Sequence, residues 1–158
     1  LPQITIAAAE GMMVGAGCAL GLACDWRVLA RDAYLFVPEV QVGLNLQWGA
    51  LPRLVTLVGP ARAKEICLLG ENMSSDPALD SWLVICLAEP CPSVDVALRL
   101  AHRCASNPPI ASAMVKAAVN AIDGALHKVG SYADAEQSQL SGTNQTAAAA
   151  RRRFADKK

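Results

Sequence analysis

The sequence predicts a mixed α/β domain, and three observations carry that prediction. Short β-branched and apolar segments parted by turns fill residues 3–37, and helical patterning takes over beyond Gly43. Hydrophobic residues reach 53% while aromatics reach only 4%, so Ala, Val, Leu, Ile and Met must fill the interior, which suits close helix packing. Strands first and helices afterwards indicate an α/β or α+β arrangement rather than a bundle. The 158 residues fit one domain with a single core.

Gln3 to Ala9 mixes β-branched and small apolar types and reads as a buried strand ended by Gly11. Gly15 to Cys24 has helical length and small side chains, and reads as a helix packed tightly on a sheet, closing at Asp25. Trp26 to Ala30 and Tyr34 to Val37 are two further strands, split by Arg31-Asp32 and stopped by Pro38. Trp48 to Val58 and Ala61 to Leu69 are helical, separated by Gly59-Pro60, a C-cap glycine before a helix-starting proline. Asp76 to Trp82 is expected as a short helix and Val84 to Leu87 as a last short strand.

A helix from Ser93 or Val94 to Ala105 is stopped by Asn107-Pro108-Pro109. From Ile110 to Val129 the apolar residues Val115, Val119, Ile122, Leu126 and Val129 recur at spacings of four and three, a helical stripe. Residues 131–158 are polar and alanine-rich, one or two exposed helices with Asn144 or Thr143 as N-cap. The expected organisation is a core over residues 1–90 and a helical region over 91–158.

Fourteen Lys and Arg balance fourteen Asp and Glu, so the overall field points to neither nucleic acid nor a membrane surface. Glu10, Asp25, Arg27 and Arg31 interrupt the richest apolar stretch, which falls short of the roughly 20 residues that span a bilayer. A soluble, cytoplasmic protein is expected. The six cysteines form no C-x-x-C pair, and only His102 and His127 offer imidazoles, so no metal site is expected. Apolar neighbours around Cys18 and Cys86 indicate reduced thiols rather than a disulfide framework. The chain opens at Leu1 with no signal segment, and further residues upstream are expected.

Five ordered blocks stand out: Ile6-Ala7-Ala8-Ala9-Glu10-Gly11 followed by Gly15-Ala16-Gly17-Cys18-Ala19-Leu20 and Ala23-Cys24-Asp25; Phe36-Val37-Pro38-Glu39-Val40 with Gly43-Leu44; Leu51-Pro52-Arg53-Leu54; Val58-Gly59-Pro60-Ala61-Arg62-Ala63-Lys64-Glu65; and Asn107-Pro108-Pro109. In order and spacing they resemble the crotonase superfamily, the enoyl-CoA hydratase/isomerase fold, over about Gln3 to Asn120. The resemblance implies the C-terminal portion of a crotonase-like (ClpP/crotonase) spiral ββα core, followed by C-terminal helices. It also implies an acyl-CoA thioester as substrate, with coenzyme A as part of that substrate and no separate cofactor, and a homo-oligomer, trimer or hexamer.

By that resemblance the Ala16 N–H is an oxyanion donor at a helix start, where free amides and the helix dipole favour an anion. Val14, Gly15, Gly17 and Leu44 are expected to line the substrate. Read by themselves, Gly15-Ala16-Gly17 would serve only close packing. The resemblance places one carboxylate of a water-activating pair at Ala19, which cannot accept a proton, and the other at Glu39. A lone Glu39, its pKa raised in an apolar surrounding of Val37, Val40 and Leu44, suits double-bond isomerisation better than hydration. Its bland alternative is a solvated glutamate at a strand end. The family's N-terminal half would supply the other oxyanion donor. A non-catalytic scaffold, or a truncated and inactive member, is the alternative.

Asp25, Arg53 and Arg62 are expected to be structural. His102 and His127 have no catalytic partner nearby in sequence. Arg151-Arg152-Arg153 with Lys157-Lys158 would touch a coenzyme A phosphate or RNA, or be simply solvated. Trp82 stands where the family has a helix-ending glycine, polar residues give way to Ile85-Cys86, and Ala147 to Ala150 replaces an acidic and aromatic pattern. These changes are expected to leave apolar surface for a partner to cover.

Overall fold

The structure, a computed structural model, describes residues 1–89, 92–125 and 134–156. Its elements are β1 (Ile6–Ala9), β2 (Met12–Val14), α1 (Ala16–Ala23), β3 (Trp26–Ala30), β4 (Tyr34–Phe36), a 3-10 turn (Glu39–Val42), α2 (Ala50–Leu69) and β5 (Met73–Ser74). There follow α3 (Ser75–Asp80), β6 (Cys86–Ala88), α4 (Ser93–Ala105), α5 (Pro109–Asp123), α6 (Asp134–Thr143) and α7 (Gln145–Ala155).

Two small sheets run side by side through the chain. In one, β1, β3 and β6 are parallel; in the other, β2 and β4 are parallel and β5 is antiparallel to β4. Ile6 pairs with Trp26 and Met12 with Tyr34, so each ββα unit lies on the one before it, giving the expected spiral. Met12–Val14 and Met73–Ser74 have no sequence signal as strands. At two or three residues they are too short to show alternation and exist because β4 pairs with both.

The central strand β3 is buried on both faces. Val28 and Leu29 are each 0% exposed. Val28 packs with Ala88 of β6 and Ala97 of α4, and Leu29 with Cys18 and Leu22 of α1, Leu35 of β4 and Leu54 of α2. Burying such a side chain contributes roughly 1.5–3 kcal/mol, which makes this strand the anchor of the fold. Arg27, on the same strand, is also buried. Its Nε donates to Leu83 O at 2.5 Å and its Nη1 to Cys24 O at 2.9 Å, so the guanidinium satisfies carbonyls at the end of α1 and ahead of β6. Close packing of α1 is set by Gly21, where an added Cβ would meet Met13 Sδ at 2.7 Å.

The helical expectations hold in most places. Gly59, at φ 76°, breaks α2 into the two stretches read from the sequence. Asn144 caps α7, its Oδ1 accepting from the Thr146 N–H at 2.7 Å. In α4 it is Ala97, flanked by Val96 and Leu100, that faces the sheet, whereas the stripe of Val94, Leu98 and Ala101 faces outward. Helix α5 runs to Asp123, and Leu126, His127 and Val129 lie outside the described residues, as do Cys91 and the Lys157-Lys158 pair. The α5 stripe of Val115, Val119 and Ile122 is exposed; α5 is tied to the core instead by Lys116, whose Nζ lies 2.7 Å from Asp25 Oδ2. Burial alone would raise the Asp25 carboxyl. Lys116 and the Thr5 amide and hydroxyl outweigh it and hold that carboxyl below its usual range. Among the described residues the cysteines are free, with Cys18 and Cys67 buried, and no helix is long and apolar enough to cross a membrane.

Trp82 follows α3 at φ 62°, a left-handed conformation that suits the glycine expected there. Its side chain is 71% exposed, so little packing offsets the strain. Replacement Trp82→Gly is expected to stabilise the fold by about 1 kcal/mol. In a melting experiment that corresponds to a gain of about 2–4 °C; a lower Tm would show that the indole is seated after all.

Candidate active site

The site is built where two adjacent strands end. β2 stops at Val14, and the chain turns at Gly15 (φ 52°, ψ −113°) directly into α1. Val14 lies opposite Phe36, the last residue of β4, and the Gly15 N–H donates to Phe36 O at 2.9 Å. From Phe36 the chain passes through Val37 and Pro38 into the 3-10 turn that begins with Glu39. Strand register therefore delivers the start of α1 and the Glu39 side chain to one place. A Cβ added at Gly15 would lie 3.0 Å from Glu39 Oε1. Any side chain at position 15 would meet that carboxylate and would also be strained by the positive φ.

Glu39 is half-buried. Its Oε2 is buried and takes no hydrogen bond from any described residue. Burial pushes the carboxyl above its ordinary range, and a hydrogen bond from its own backbone N–H offsets only part of this. Of the apolar surroundings expected for it, Val37 is buried, Leu44 is half-buried and Val40 is 40% exposed, because the 3-10 turn swings Val40 outward. Two buried thiols lie in the same region. Cys18 of α1 and Cys67 of α2 are close enough to feel the Glu39 charge, and burial pushes each up to about 11. Both remain neutral where the carboxyl titrates. Cys18 Sγ donates to Met13 O at 2.6 Å.

Ala16, the first residue of α1, is exposed. The amides of a first helical turn have no partner within the helix, and Glu39 accepts no hydrogen bond from Ala16 or Gly17. The carboxylate thus lies beside the helix start without capping it. An open helix N-terminus next to a carboxylate whose buried oxygen is bonded by none of the described residues, and whose pKa burial raises, is an arrangement that can steady an oxyanion and carry a proton. Beneath it, Cys18, Phe36, Val37, Leu54 and Ile66 line an apolar recess.

The structure brings Val14, Gly15, Ala16 and Glu39 together. Gly17 follows on α1 with open space where a Cβ would stand, so packing does not require glycine there. Ala19 is buried at 6% exposure. Leu44 is joined to Glu39 through its backbone N–H, which donates to Glu39 O at 2.8 Å, while its side chain lies within 3.6 Å of a Cβ placed on Gly142 of α6. Arg53 Nη1 donates to Gly49 O at 2.8 Å and Arg62 pairs with Glu65 at 2.5 Å. His102 is exposed at the end of α4. Sequence reasoning missed Arg27, whose buried guanidinium binds only carbonyls and has no signature in a linear pattern, and it missed the thiols around Glu39.

A spiral of ββα units with a glycine turn and a carboxylate at its strand ends defines a known class of fold. The chain belongs to the enoyl-CoA hydratase/isomerase family, whose family model matches residues 1–158. It is 34% identical over 120 residues to the short-chain-enoyl-CoA hydratase of Clostridium acetobutylicum, an alignment covering 76% of this chain and 46% of that protein. A crystal structure of an enoyl-CoA hydratase/isomerase from Mycobacterium paratuberculosis superposes with a TM-score of 0.83 at 29% identity, covering 94% of this chain and 59% of the other. An enoyl-CoA hydratase from Mycobacterium avium subsp. paratuberculosis K-10 shares the fold with a TM-score of 0.92 at 23% identity, over 100% of this chain and 64% of that one. The chain thus spans about half the length of the curated relatives it matches.

Because the Glu39 carboxyl is raised in the folded protein, folding is favoured where it is protonated. That contribution is complete below the ordinary glutamate pKa of about 4.3 and is lost as pH rises through the folded-state value. Glu39→Gln is therefore expected to raise Tm at neutral pH, with the advantage shrinking on acidification. An unchanged or lowered Tm at neutral pH would contradict the carboxylate's unpaired burial.

Proposed function

We propose that the chain contributes the C-terminal side of a site for an acyl-CoA thioester, with Glu39 as the proton carrier and the Ala16 N–H as one oxyanion donor. The observation that carries this reading is the Glu39 carboxylate itself, one oxygen 3.0 Å from the Cβ position of Gly15 and the other buried with no hydrogen bond from the described residues. In isomerisation of a 3-enoyl thioester, Glu39 takes a proton from C2. The electron pair moves onto the thioester oxygen as a dienolate, and the proton returns to C4 as the double bond shifts. A single carboxylate suffices for both transfers. An amide aimed at the oxygen is worth about 3 kcal/mol of barrier.

Hydration asks for more, because water must be held and deprotonated while the α-carbon receives a proton. The family resemblance places the second carboxylate of that pair at Ala19, whose buried methyl has no such capacity. The named relatives include hydratases; the preference for isomerisation here rests on Ala19 alone. No cofactor beyond the coenzyme A of the substrate enters the proposal. The exposed stripe of α5 supports self-association as a trimer or hexamer, and a monomer in sedimentation would count against it.

The test is an assay of a polypeptide containing this chain against 3-enoyl-CoA and 2-enoyl-CoA. Isomerisation is expected to exceed hydration, and Glu39→Gln to reduce it by about 10²–10⁴-fold. Turnover retained in that variant would remove Glu39 from the chemistry. Because the chain covers 46% of the curated relative, a second reading keeps the fold without turnover, and it predicts no heat when acyl-CoA is titrated into the protein.

A further inference from the structure

The turn that carries Glu39 is clamped on two sides. On one flank Gln41 Nε2 donates to Gly70 O at 2.6 Å, immediately beyond α2. On the other flank Gly43 closes the turn at φ 76°, and it lies so near α7 that an added Cβ would stand 2.5 Å from both Cα and Cβ of Ala147. Ala147 is 2% exposed, whereas its neighbours Ala148 and Ala149 face solvent. One methyl group of an alanine run is thus seated on the backbone of the Glu39 turn. The next residue, Leu44, returns its N–H to Glu39 O at 2.8 Å, so Ala147 and Glu39 are separated by a single peptide and one hydrogen bond.

The α6–α7 hairpin that presents Ala147 is moored independently. Asp134 Oδ2 accepts from the Gly49 N–H at 2.9 Å, and Asn45 Nδ2 donates to Gln137 Oε1 at 3.0 Å. Leu44 lies against Gly142 between the two helices. We propose that Ala147 is a positioning residue, its methyl group seating Gly43 and thereby holding the Glu39 carboxylate against the Gly15 turn. Neither glycine tolerates a side chain: Gly15 admits the carboxylate and Gly43 admits α7. A larger side chain at position 147 would lift the turn and let water reach the carboxylate.

This inference rests on Glu39 being the functional carboxylate, but its readout is the titration of that carboxyl and not turnover. The groups whose charge reaches Glu39 are the Cys18 and Cys67 thiols, neutral where it titrates. The hairpin's own charges include Asp134, engaged by Gly49, and Arg151, engaged by Gly142 O, and replacing Ala147 changes neither.

The experiment follows the side-chain carboxyl of Glu39 by NMR in the full chain carrying 13C-labelled glutamate, the resonance assigned with Glu39→Gln. Ala147→Gly, which removes the seating methyl group without adding bulk, is expected to bring the Glu39 midpoint down part of the way, and an unmoved midpoint there would overturn the role given to the methyl group. Ala147→Leu is expected to bring the Glu39 midpoint down toward the ordinary carboxylate range while the amide signals of β1, β3 and β6 stay in place. An unmoved midpoint in a folded Ala147→Leu protein whose α7 signals have shifted would overturn the inference. Should that variant fail to fold, Asn144→Ala loosens α7 by removing its cap without adding bulk. It is expected to shift the midpoint in the same direction, and an unchanged midpoint alongside displaced α7 signals would also overturn the inference. A moved midpoint combined with full turnover in Glu39→Gln would uphold the positioning role and sink only the catalytic reading.

Discussion

The site depends on one hydrogen bond, the Gly15 N–H to the carbonyl of Phe36 at 2.9 Å. It continues the parallel pairing of β2 and β4 by one step beyond Val14, and so fixes where α1 begins relative to the strand that leads into Glu39. A shift of register by one residue would turn each strand's side chains to the opposite face and carry Glu39 away from the helix start. Glycine is required at this junction on two counts, its positive φ and the carboxylate oxygen in the space of its missing Cβ.

Around that junction the fold carries a cost that the rest of the chain must offset. Among the described residues none donates a hydrogen bond to the buried oxygen of Glu39, an arrangement that is ordinarily destabilising and that concentrates at functional sites. The offset comes from small, tightly fitted parts: Val28 and Leu29 at the centre of the sheet, Gly21 letting α1 settle on Met13, and Arg27 satisfying carbonyls at the other end of the same helix. The thiols of Cys18 and Cys67 lie within reach of the carboxylate's charge and, each pushed up to about 11, bring no charge of their own at neutral pH. A carboxylate so surrounded holds its proton to higher pH than a solvated one, which is the property that proton transfer to carbon demands.

Much of this was legible in the sequence. The helix after Gly15, the strand stop at Pro38 and the Gly59-Pro60 break follow from local backbone chemistry, whereas the glycine turn and the Glu39 carboxylate follow from the resemblance that the ordered blocks carry. What was not legible depends on contacts between distant residues. β2 and β5 are strands only because β4 lies between them. The apolar stripe of α5 reads as a core face, yet no described element covers it, and periodicity reports amphipathicity without naming the partner. In the sequence Arg27 is an interruption in an apolar segment, because its partners are the carbonyls of Gly21, Cys24 and Leu83, which no linear pattern marks. In the sequence Ala147 is one of an apolar run that calls for a cover, whereas in the fold it is itself the residue that seats on Gly43.

The family shares its fold across proteins about twice the length of this chain, and what the chain contributes to such an architecture is the helix start, the lone carboxylate and the recess beneath them. The most direct measurement of that claim is a crystal structure of a polypeptide containing this chain bound to an acyl-CoA. The account predicts the thioester oxygen about 2.7–3.1 Å from the Ala16 nitrogen, with the Glu39 carboxylate beside the adjoining carbon. A thioester seated away from the first turn of α1, with Glu39 turned to bulk solvent, would contradict it.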